Sequence, residues 1–194
     1  MKCNLCGGED LFRNYMRTKS GIVYDKCNSC GLVFRDEMIK VEKYNDDSSY
    51  RDYMFRESSM YEDFEKKILQ IKKFKKKGRL LDVGANYGIL MKVARDYGYE
   101  VSGIEPSKSC CDYGRDRYGF DIKNGIMDAP TELEYDIIVL NHVLEHTSDP
   151  KKLLQDVKNS LTSEGVLYLS FPNFGCEKAQ KEKETWGYLM PDGH

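Results

Sequence analysis

The chain has 194 residues, of which 32% are charged, and its formal net charge is −2. This length permits one main domain and a small additional module. The nearly balanced charge carries no overall signal for nucleic-acid binding. No apolar run reaches the roughly 18 residues that a membrane span requires, and the amino terminus has no apolar targeting core. We therefore expect a cytoplasmic protein without a membrane partner.

Four of the seven cysteines form two closely spaced pairs near the amino terminus. They occur as Cys3-x-x-Cys6 and Cys27-x-x-Cys30, and a glycine follows each pair. Two residues between thiolates allow both sulfurs to reach one metal ion, so two such turns predict a tetrahedral zinc site. Four thiolates leave no position for water, and the zinc is therefore expected to be structural. Disulfide bonds are the alternative, which a cytoplasmic location disfavours.

Residues 1–35 are predicted to form a zinc ribbon in which 22–24 and 32–34 are short strands. This module contains little apolar material, so we expect metal binding to supply its folding energy. Residues 36–50 are polar and poorly patterned. They are predicted to be a linker or a flap on the substrate side.

Residues 51–77 are predicted to form an amphipathic helix, so that residues 36–77 would join the ribbon to the main domain. The prediction rests on apolar side chains that recur at steps of three and four, namely Tyr61, Phe64, Ile68 and Ile71. The run Lys75-Lys76-Lys77-Gly78 would end the helix, because lysines in the last turn and a glycine stop complement the helix dipole. An RNA contact is the alternative role of this lysine run.

From residue 79 onward, strand-like and helix-like segments alternate. Strands are predicted at 79–83, 100–105, 120–123, 135–140 and 165–171. Helices are predicted at 88–97, 107–117 and 150–161. Such alternation indicates a parallel sheet with helices on both faces. We therefore predict that residues 78–194 form an α/β domain with a Rossmann-like, doubly wound, mostly parallel sheet.

A glycine-rich turn follows the first strand of this domain, from Asp82 through Gly84 to Gly88. A dinucleotide site would require glycine at positions 84, 86 and 89, but two of these positions are Asn86 and Ile89. The acid that opens the turn would repel a pyrophosphate and suits a cationic ligand. A second acid closes the next strand, where a ribose is commonly held.

This pattern resembles that of the class I S-adenosylmethionine (SAM)-dependent methyltransferases, Asp/Glu-x-Gly-x-Gly-x-Gly followed by an acid that closes the second strand. The matching residues are Asp82, Gly84, Gly88 and Glu105. Asn86 replaces the middle glycine, and asparagine tolerates left-handed backbone better than most residues.

Further segments extend the resemblance over roughly residues 78–175. Residues 135–146 resemble the family's fourth strand and the loop after it, and residues 165–173 resemble its fifth strand. The family sheet usually has seven strands, whereas this sequence accounts for about five. We therefore expect a domain that lacks the usual last strands.

The resemblance implies a set of residues that bind SAM. The motif loop would surround the methionine end, through Asp82, Gly84, Ala85, Asn86, Tyr87 and Gly88. Glu105 would bind the ribose hydroxyls, with Pro106 and Ser107 beside the adenine. The adenine would also be bordered by Gly125, Ile126, Met127 and Asp128, although Asp128 could instead cap a turn. The sulfonium side would be contacted by Asn141 and His142.

Methyl transfer is an in-line displacement that needs mainly alignment and desolvation. A base is needed only if the acceptor is a hydroxyl or an acidic carbon. The candidates are His142, Glu145 and His146, which follow the fourth strand and include side chains that titrate near neutrality. Glu145 and His146 could alternatively cap and orient the loop.

The sequence thus predicts a SAM-dependent methyltransferase with a structural zinc. Ribbons of this kind resemble those that precede methyltransferases of sugar and polysaccharide biosynthesis, so a small polar acceptor is expected, methylated at oxygen or carbon. RNA methylation is one alternative, although the balanced charge makes a nucleic-acid partner unlikely. A non-catalytic SAM-binding scaffold is another. The sequence leaves the acceptor and the oligomeric state open.

Overall fold

The computed structural model describes residues 2–35 and 57–189, which fall into two compact units. The first, the ribbon unit, combines residues 1–39, 144–152 and 171–194; the second, the sheet unit, combines residues 40–143 and 153–170. The predicted linker or flap at 36–50 lies outside the described residues.

The ribbon unit contains a three-stranded antiparallel sheet. Its strands are β1 (Leu11–Arg17), β2 (Val23–Cys27) and β3 (Val33–Phe34), in that spatial order. The sequence predicted β2 and β3 but missed β1. Strand β1 is bulged at Asn14, which has a φ of 52° and donates its backbone N–H to Asp25 at 2.9 Å.

The carboxyl-terminal part of the chain supplies apolar side chains to the ribbon unit. It contains the short helix α5 (Glu177–Glu182) and two 3₁₀ turns, Lys183–Thr185 and Gly187–Leu189. The buried side chains of Ala179, Trp186 and Leu189 pack with Met16 of β1 and Tyr24 of β2. The ribbon strands thus share a small apolar core with residues that lie more than 140 positions later in the chain.

The sheet unit contains five parallel strands. They are β4 (Arg79–Val83), β5 (Glu100–Glu105), β6 (Ile122–Asn124), β7 (Tyr135–Asn141) and β8 (Leu161–Ser170), in the spatial order β6-β5-β4-β7-β8. The chain winds outward from β4 through β5 to β6 and then crosses to β7 on the other side of β4. This order confirms the predicted doubly wound, Rossmann-like fold, and ligands bind such sheets where the order reverses.

Within the described residues, three of the four longer helices begin and end within one residue of the predicted positions, whereas the first ends six residues early. These helices are α1 (Glu57–Ile71), α2 (Ile89–Asp96), α3 (Lys108–Tyr118) and α4 (Pro150–Ser160). Helix α3 has clear local signals, because the Ser107 hydroxyl accepts the N–H of Cys110 and Gly119 follows with a φ of 69°. None of the helices within the described ranges is long and apolar enough to cross a membrane.

Helix α1 packs its predicted apolar stripe against the sheet. Ile68 and Ile71 are fully buried with Leu80 and Ile137, and Tyr61 and Phe64 pack at the edge of the same cluster. Residues 51–56 of the predicted helix lie outside the described ranges.

The prediction that the lysine run forms the last helical turn was wrong, because α1 ends at Ile71. The chain turns away after it: the carbonyl of Lys75 accepts a hydrogen bond from the Tyr99 hydroxyl at 2.6 Å. The Lys75 ammonium donates to the carbonyl of Glu164 at 3.1 Å and lies 3.6 Å from Asp136. These contacts hold the run near the edge of the sheet.

The packing of α1 predicts a large difference between two neighbouring side chains. Ile68→Ala should lower the free energy of unfolding by about 2–5 kcal/mol, because it removes a fully buried side chain. Leu69→Ala is the control, since Leu69 is 46% exposed, and its effect should stay within about 0.5 kcal/mol. Urea denaturation measures both. Equal losses would contradict the packing of this helix against the sheet.

Candidate functional site

The four paired cysteines converge in the ribbon unit. The Sγ atoms of Cys3 and Cys30 are 3.7 Å apart, those of Cys6 and Cys27 are 3.6 Å apart, and all four lie within 4.8 Å of one another. A tetrahedral zinc site with Zn–S bonds of about 2.3 Å has sulfur–sulfur distances of about 3.8 Å. Within the described residues, this is the one group of three or more potential ligands that could share a metal ion.

The two cysteine turns have the same backbone geometry, which explains their glycines. Gly7 and Gly31 have φ values of 73° and 78°, and each donates its N–H to the carbonyl of the first cysteine of its pair at 2.9 Å. A residue with a side chain is strained in this left-handed conformation. The backbone N–H of Cys30 lowers the pKa of Cys27, which favours the thiolate that binds zinc.

The glycine-rich turn of the sheet unit is left-handed at all three motif positions. The φ values are 77° at Gly84, 50° at Asn86 and 80° at Gly88. A Cβ atom at Gly84 would lie 2.6 Å from Val143, and one at Gly88 would lie 2.9 Å from Phe120. Glycine is therefore required at two positions for both space and conformation. The expectation that asparagine adopts left-handed backbone at the third is confirmed.

Two acidic side chains are buried at the carboxyl ends of neighbouring strands. Asp82 in β4 is 3% exposed and Glu105 at the end of β5 is 4% exposed. The Glu105 carboxylate accepts the backbone N–H of Asn86 at 2.9 Å and that of Ser107 at 2.8 Å. These bonds attach the glycine-rich turn to the end of β5. They also lower the pKa of Glu105, but burial has the larger effect and raises it.

Asp82 is strongly destabilised in its charged form. Burial, together with the charge of Glu105, raises the pKa of Asp82 to about 8, while Lys67 acts in the opposite direction. A carboxyl group with this pKa ionises readily when a cation approaches. The arrangement therefore suits a ligand that brings positive charge.

The side chains of Ala85 and Tyr87 belong to the hydrophobic core. Ala85 packs with Met91 and Ile122, and the Tyr87 ring lies edge-on to Tyr113 with centroids 4.9 Å apart. The buried Ser107 hydroxyl likewise serves as the cap of α3.

The segment after β6 lies beside the end of β5. Gly125 donates its N–H to the carbonyl of Glu105 at 3.0 Å. Met127 is buried, whereas Asp128 and Ile126 are exposed, Ile126 by 51%. Sequence reasoning missed Asn124, whose side-chain amide donates to the carbonyl of the half-buried Pro106 at 2.8 Å. It thereby holds β6 against the end of β5.

The end of β7 carries Asn141 and His142. The Asn141 side chain accepts a hydrogen bond from the ammonium of Lys67, and His142 has a φ of 57° with its N–H bonded to the carbonyl of Ser170 at 2.8 Å. Left-handed backbone in a histidine is uncommon and costs energy. Glu145 and His146 lie in a 3₁₀ turn that is part of the ribbon unit, and their role as a base stays a prediction.

Lys67 is the second residue of this site that sequence reasoning missed. It lies in α1 between Phe64 and Ile68, next to the apolar stripe of that helix. A lysine at the border of a buried helix face was the available signal. The helix alone does not reveal which strand end such a lysine reaches.

Comparison with known proteins supports an assignment to a family. A family profile described as "Methyltransferase domain" matches residues 50–194. The chain belongs to this methyltransferase family. An uncharacterized methyltransferase of Staphylococcus carnosus (strain TM300) is 30% identical over 108 residues, which cover 54% of this chain and 52% of that protein. One from Alkaliphilus oremlandii (strain OhILAs) is 28% identical over 112 residues, covering 56% and 52%.

The match spans about half the length of these methyltransferase relatives. Among solved structures, DesVI of Streptomyces venezuelae has a TM-score of 0.53 at 17% identity, covering 63% of this chain and 56% of that chain. At this identity the likeness shows a shared fold alone. The family relationship and the fold thus agree on the sheet unit.

The raised pKa of Asp82 predicts a stability that falls as pH rises. The unfolded chain ionises Asp82 near its ordinary value of 3.8, whereas the folded protein keeps the proton until about pH 8. Between these values the folded state binds more protons, so the charge costs up to about 1.4 kcal/mol of stability per pH unit.

Asp82→Asn removes this ionisation. The variant should match the wild type in stability near pH 4 and exceed it increasingly up to about pH 8, in the absence of ligand. Urea denaturation at intervals from pH 4 to pH 9 measures the difference. A constant difference across that range would contradict the buried, proton-retaining carboxyl group.

Proposed function

We propose that this protein transfers a methyl group from SAM to a small polar acceptor such as a sugar, at oxygen or carbon, with a zinc ion that is structural. The single observation that carries the cofactor assignment is the pair of buried acids, Asp82 and Glu105, on either side of the left-handed turn. Membership of the methyltransferase family supports the reaction class.

The pair of acids matches the charge and the hydroxyl groups of SAM. SAM carries a sulfonium and an ammonium, and Asp82 is a carboxyl group that a cation would ionise. Each Glu105 oxygen accepts one backbone N–H, and a carboxylate oxygen has a second lone pair. Two ribose hydroxyls can therefore donate to Glu105 without displacing the bonds that hold the turn.

The remaining residues have proposed positions around this cofactor. The exposed Ile126 and the buried Met127 would border the adenine, with Pro106 and Asp128 nearby. Asn141 and His142, at the carboxyl end of β7, would face the sulfonium. The protein's main contribution is to align donor and acceptor and to exclude water. If the acceptor is a hydroxyl group, His142, Glu145 or His146 would take its proton.

Zinc would be held by Cys3, Cys6, Cys27 and Cys30. The sulfur distances suit a tetrahedral site, and four thiolates would close it, so the ion would supply folding energy to the ribbon unit and no bound water for chemistry. The ribbon strands also gain apolar contacts from Trp186 and Leu189, which adds to what the metal contributes.

A small acceptor is favoured over RNA by the placement of the lysine run. Lys75 forms an ion pair with Asp136. In the sheet, Arg79 lies opposite Glu100, at the amino-terminal ends of β4 and β5. The lysines therefore lie near the amino ends of the strands, whereas ligands bind such sheets at the carboxyl ends. The lysine run does not belong to the cofactor end of the sheet.

The cofactor assignment predicts binding of S-adenosylhomocysteine, the product form of SAM. Isothermal titration calorimetry should detect micromolar-range binding to the wild type, and Asp82→Ala or Glu105→Ala should abolish it. Glu100→Ala is the matched control, because Glu100 lies in the same strand as Glu105 but at the opposite end, and it should leave binding unchanged. NAD should not bind. Failure of a folded wild type to bind S-adenosylhomocysteine would overturn the proposal.

The zinc assignment predicts a cysteine-specific loss of metal. The wild type should contain about one zinc per chain, and Cys6→Ser should lose it together with the stability of the ribbon unit. Cys176→Ser is the control, since Cys176 caps α5 by accepting the N–H of Ala179 and serine caps helices well. Elemental analysis of purified variants measures the zinc. Full zinc content in Cys6→Ser would exclude a four-cysteine site.

A further inference from the structure

Lys67 brings a positive charge to the cofactor end of the sheet from helix α1. Its ammonium donates a hydrogen bond to Asn141 Oδ1 at the end of β7 and lies 5.2 Å from the centroid of the Phe64 ring. The side chain is half-buried, and burial lowers its pKa while Asp63 and Asp82 raise it. Removing an ammonium group from water costs free energy, so a half-buried lysine requires hydrogen-bond acceptors or negative charges near its ammonium.

The partners of Lys67 in this structure are one amide oxygen and nearby negative charge. Asn141 is neutral, and the negative charges that attract Lys67 are those of Asp63 and, when ionised, of the buried Asp82. Glu105 adds a second buried carboxyl group to the same region. With Asp82 ionised by the ligand, two carboxylates and one ammonium leave a net charge of −1, which complements the net +1 of SAM.

The methionine end of SAM is a zwitterion and presents both kinds of charge. Its ammonium is a competitor of Lys67 for Asp82. Its carboxylate has no cationic partner in the glycine-rich turn, where the backbone N–H groups of residues 84–88 are hydrogen-bonded within the protein. A lysine side chain has four flexible methylene groups, so its ammonium can leave Asn141 and still remain in the site.

Resting on the proposed function, we propose that Lys67 is the binding residue for the carboxylate of the cofactor's methionine end. In the ligand-free protein the Lys67 ammonium is held by Asn141. When the ligand's ammonium takes the place beside Asp82, Lys67 pairs with the ligand's carboxylate. Asn141 is then released on the side of the sheet where the sulfonium would lie. No covalent bond is made or broken in this exchange.

This role makes Lys67 specific for one half of the ligand. 5′-Methylthioadenosine has the adenine, ribose and sulfur of the cofactor but lacks the amino-acid end. Its binding should depend on Glu105 and should be indifferent to Lys67. S-Adenosylhomocysteine has the complete amino-acid end and should depend on both residues.

The test compares both ligands by calorimetry on the wild type and three variants of the full chain. Lys67→Met should weaken the binding of S-adenosylhomocysteine about 10- to 100-fold, which is the contribution of a hydrogen bond to a charged group. It should leave the affinity for 5′-methylthioadenosine unchanged. Lys67→Arg keeps the charge and should weaken the binding of S-adenosylhomocysteine less than Lys67→Met does. Lys66→Met is the matched control, because the Lys66 side chain is 71% exposed on the same helix, and it should change neither ligand.

Each other outcome overturns the proposal. An equal loss of affinity for both ligands in Lys67→Met would mean that Lys67 supports the fold of the site. Unchanged or tighter binding of S-adenosylhomocysteine would mean that Lys67 only competes for Asp82. Retained binding of 5′-methylthioadenosine reports that each variant is folded. Absence of S-adenosylhomocysteine binding to the wild type would instead overturn the proposed function itself.

Discussion

The burial of two carboxyl groups at adjacent strand ends is the constraint on which the sheet unit depends. Asp82 and Glu105 are almost completely removed from water, and an unpartnered buried charge is among the most costly features a fold can contain. The structure offsets this cost with two backbone N–H groups for Glu105 and with a retained proton and a nearby lysine for Asp82. A cationic ligand would displace the proton of Asp82 and pair with the resulting carboxylate, so ligand binding and stability are linked at this position.

The backbone of the glycine-rich turn follows from the same constraint. Asn86 can donate its N–H to Glu105 because the turn is left-handed on both sides of it. Gly84 and Gly88 make this possible, since neither position has room for a side chain. The turn therefore satisfies a buried carboxylate, and the other backbone N–H groups of residues 84–88 are hydrogen-bonded within the protein.

The ribbon unit depends on a different interaction, the convergence of four sulfur atoms. Two turns with the same hydrogen bonds place the sulfurs at distances that suit a tetrahedral ion. The strands between them bury little by themselves, and part of their apolar surface is covered by Ala179, Trp186 and Leu189. This unit is therefore assembled from both ends of the chain, and truncation at either end would remove part of its core.

Local sequence was sufficient for most of the sheet unit, because its signals act over a few residues. The apolar patterning predicted the bounds of β5 and α3 within one residue, whereas β8 begins at Leu161, four residues before its predicted start. The signals failed where distant contacts decided the outcome. Strand β1 contains a bulge that interrupts its alternation, and α1 ends at Ile71, before the lysine run, whose Lys75 contacts residues far away in the chain.

By itself, the sequence determined the doubly wound fold, the acid-and-glycine turn and the four clustered cysteines, because spacing along the chain is enough to specify each of them. Tertiary structure alone decided that Lys67 and Asn141 meet, that Asn124 holds the end of β5, and that the carboxyl-terminal segment packs on the ribbon strands. These contacts join residues that are 18 to more than 140 positions apart. No local pattern encodes such pairs, since they depend on which strand ends and helix faces the folded chain brings together.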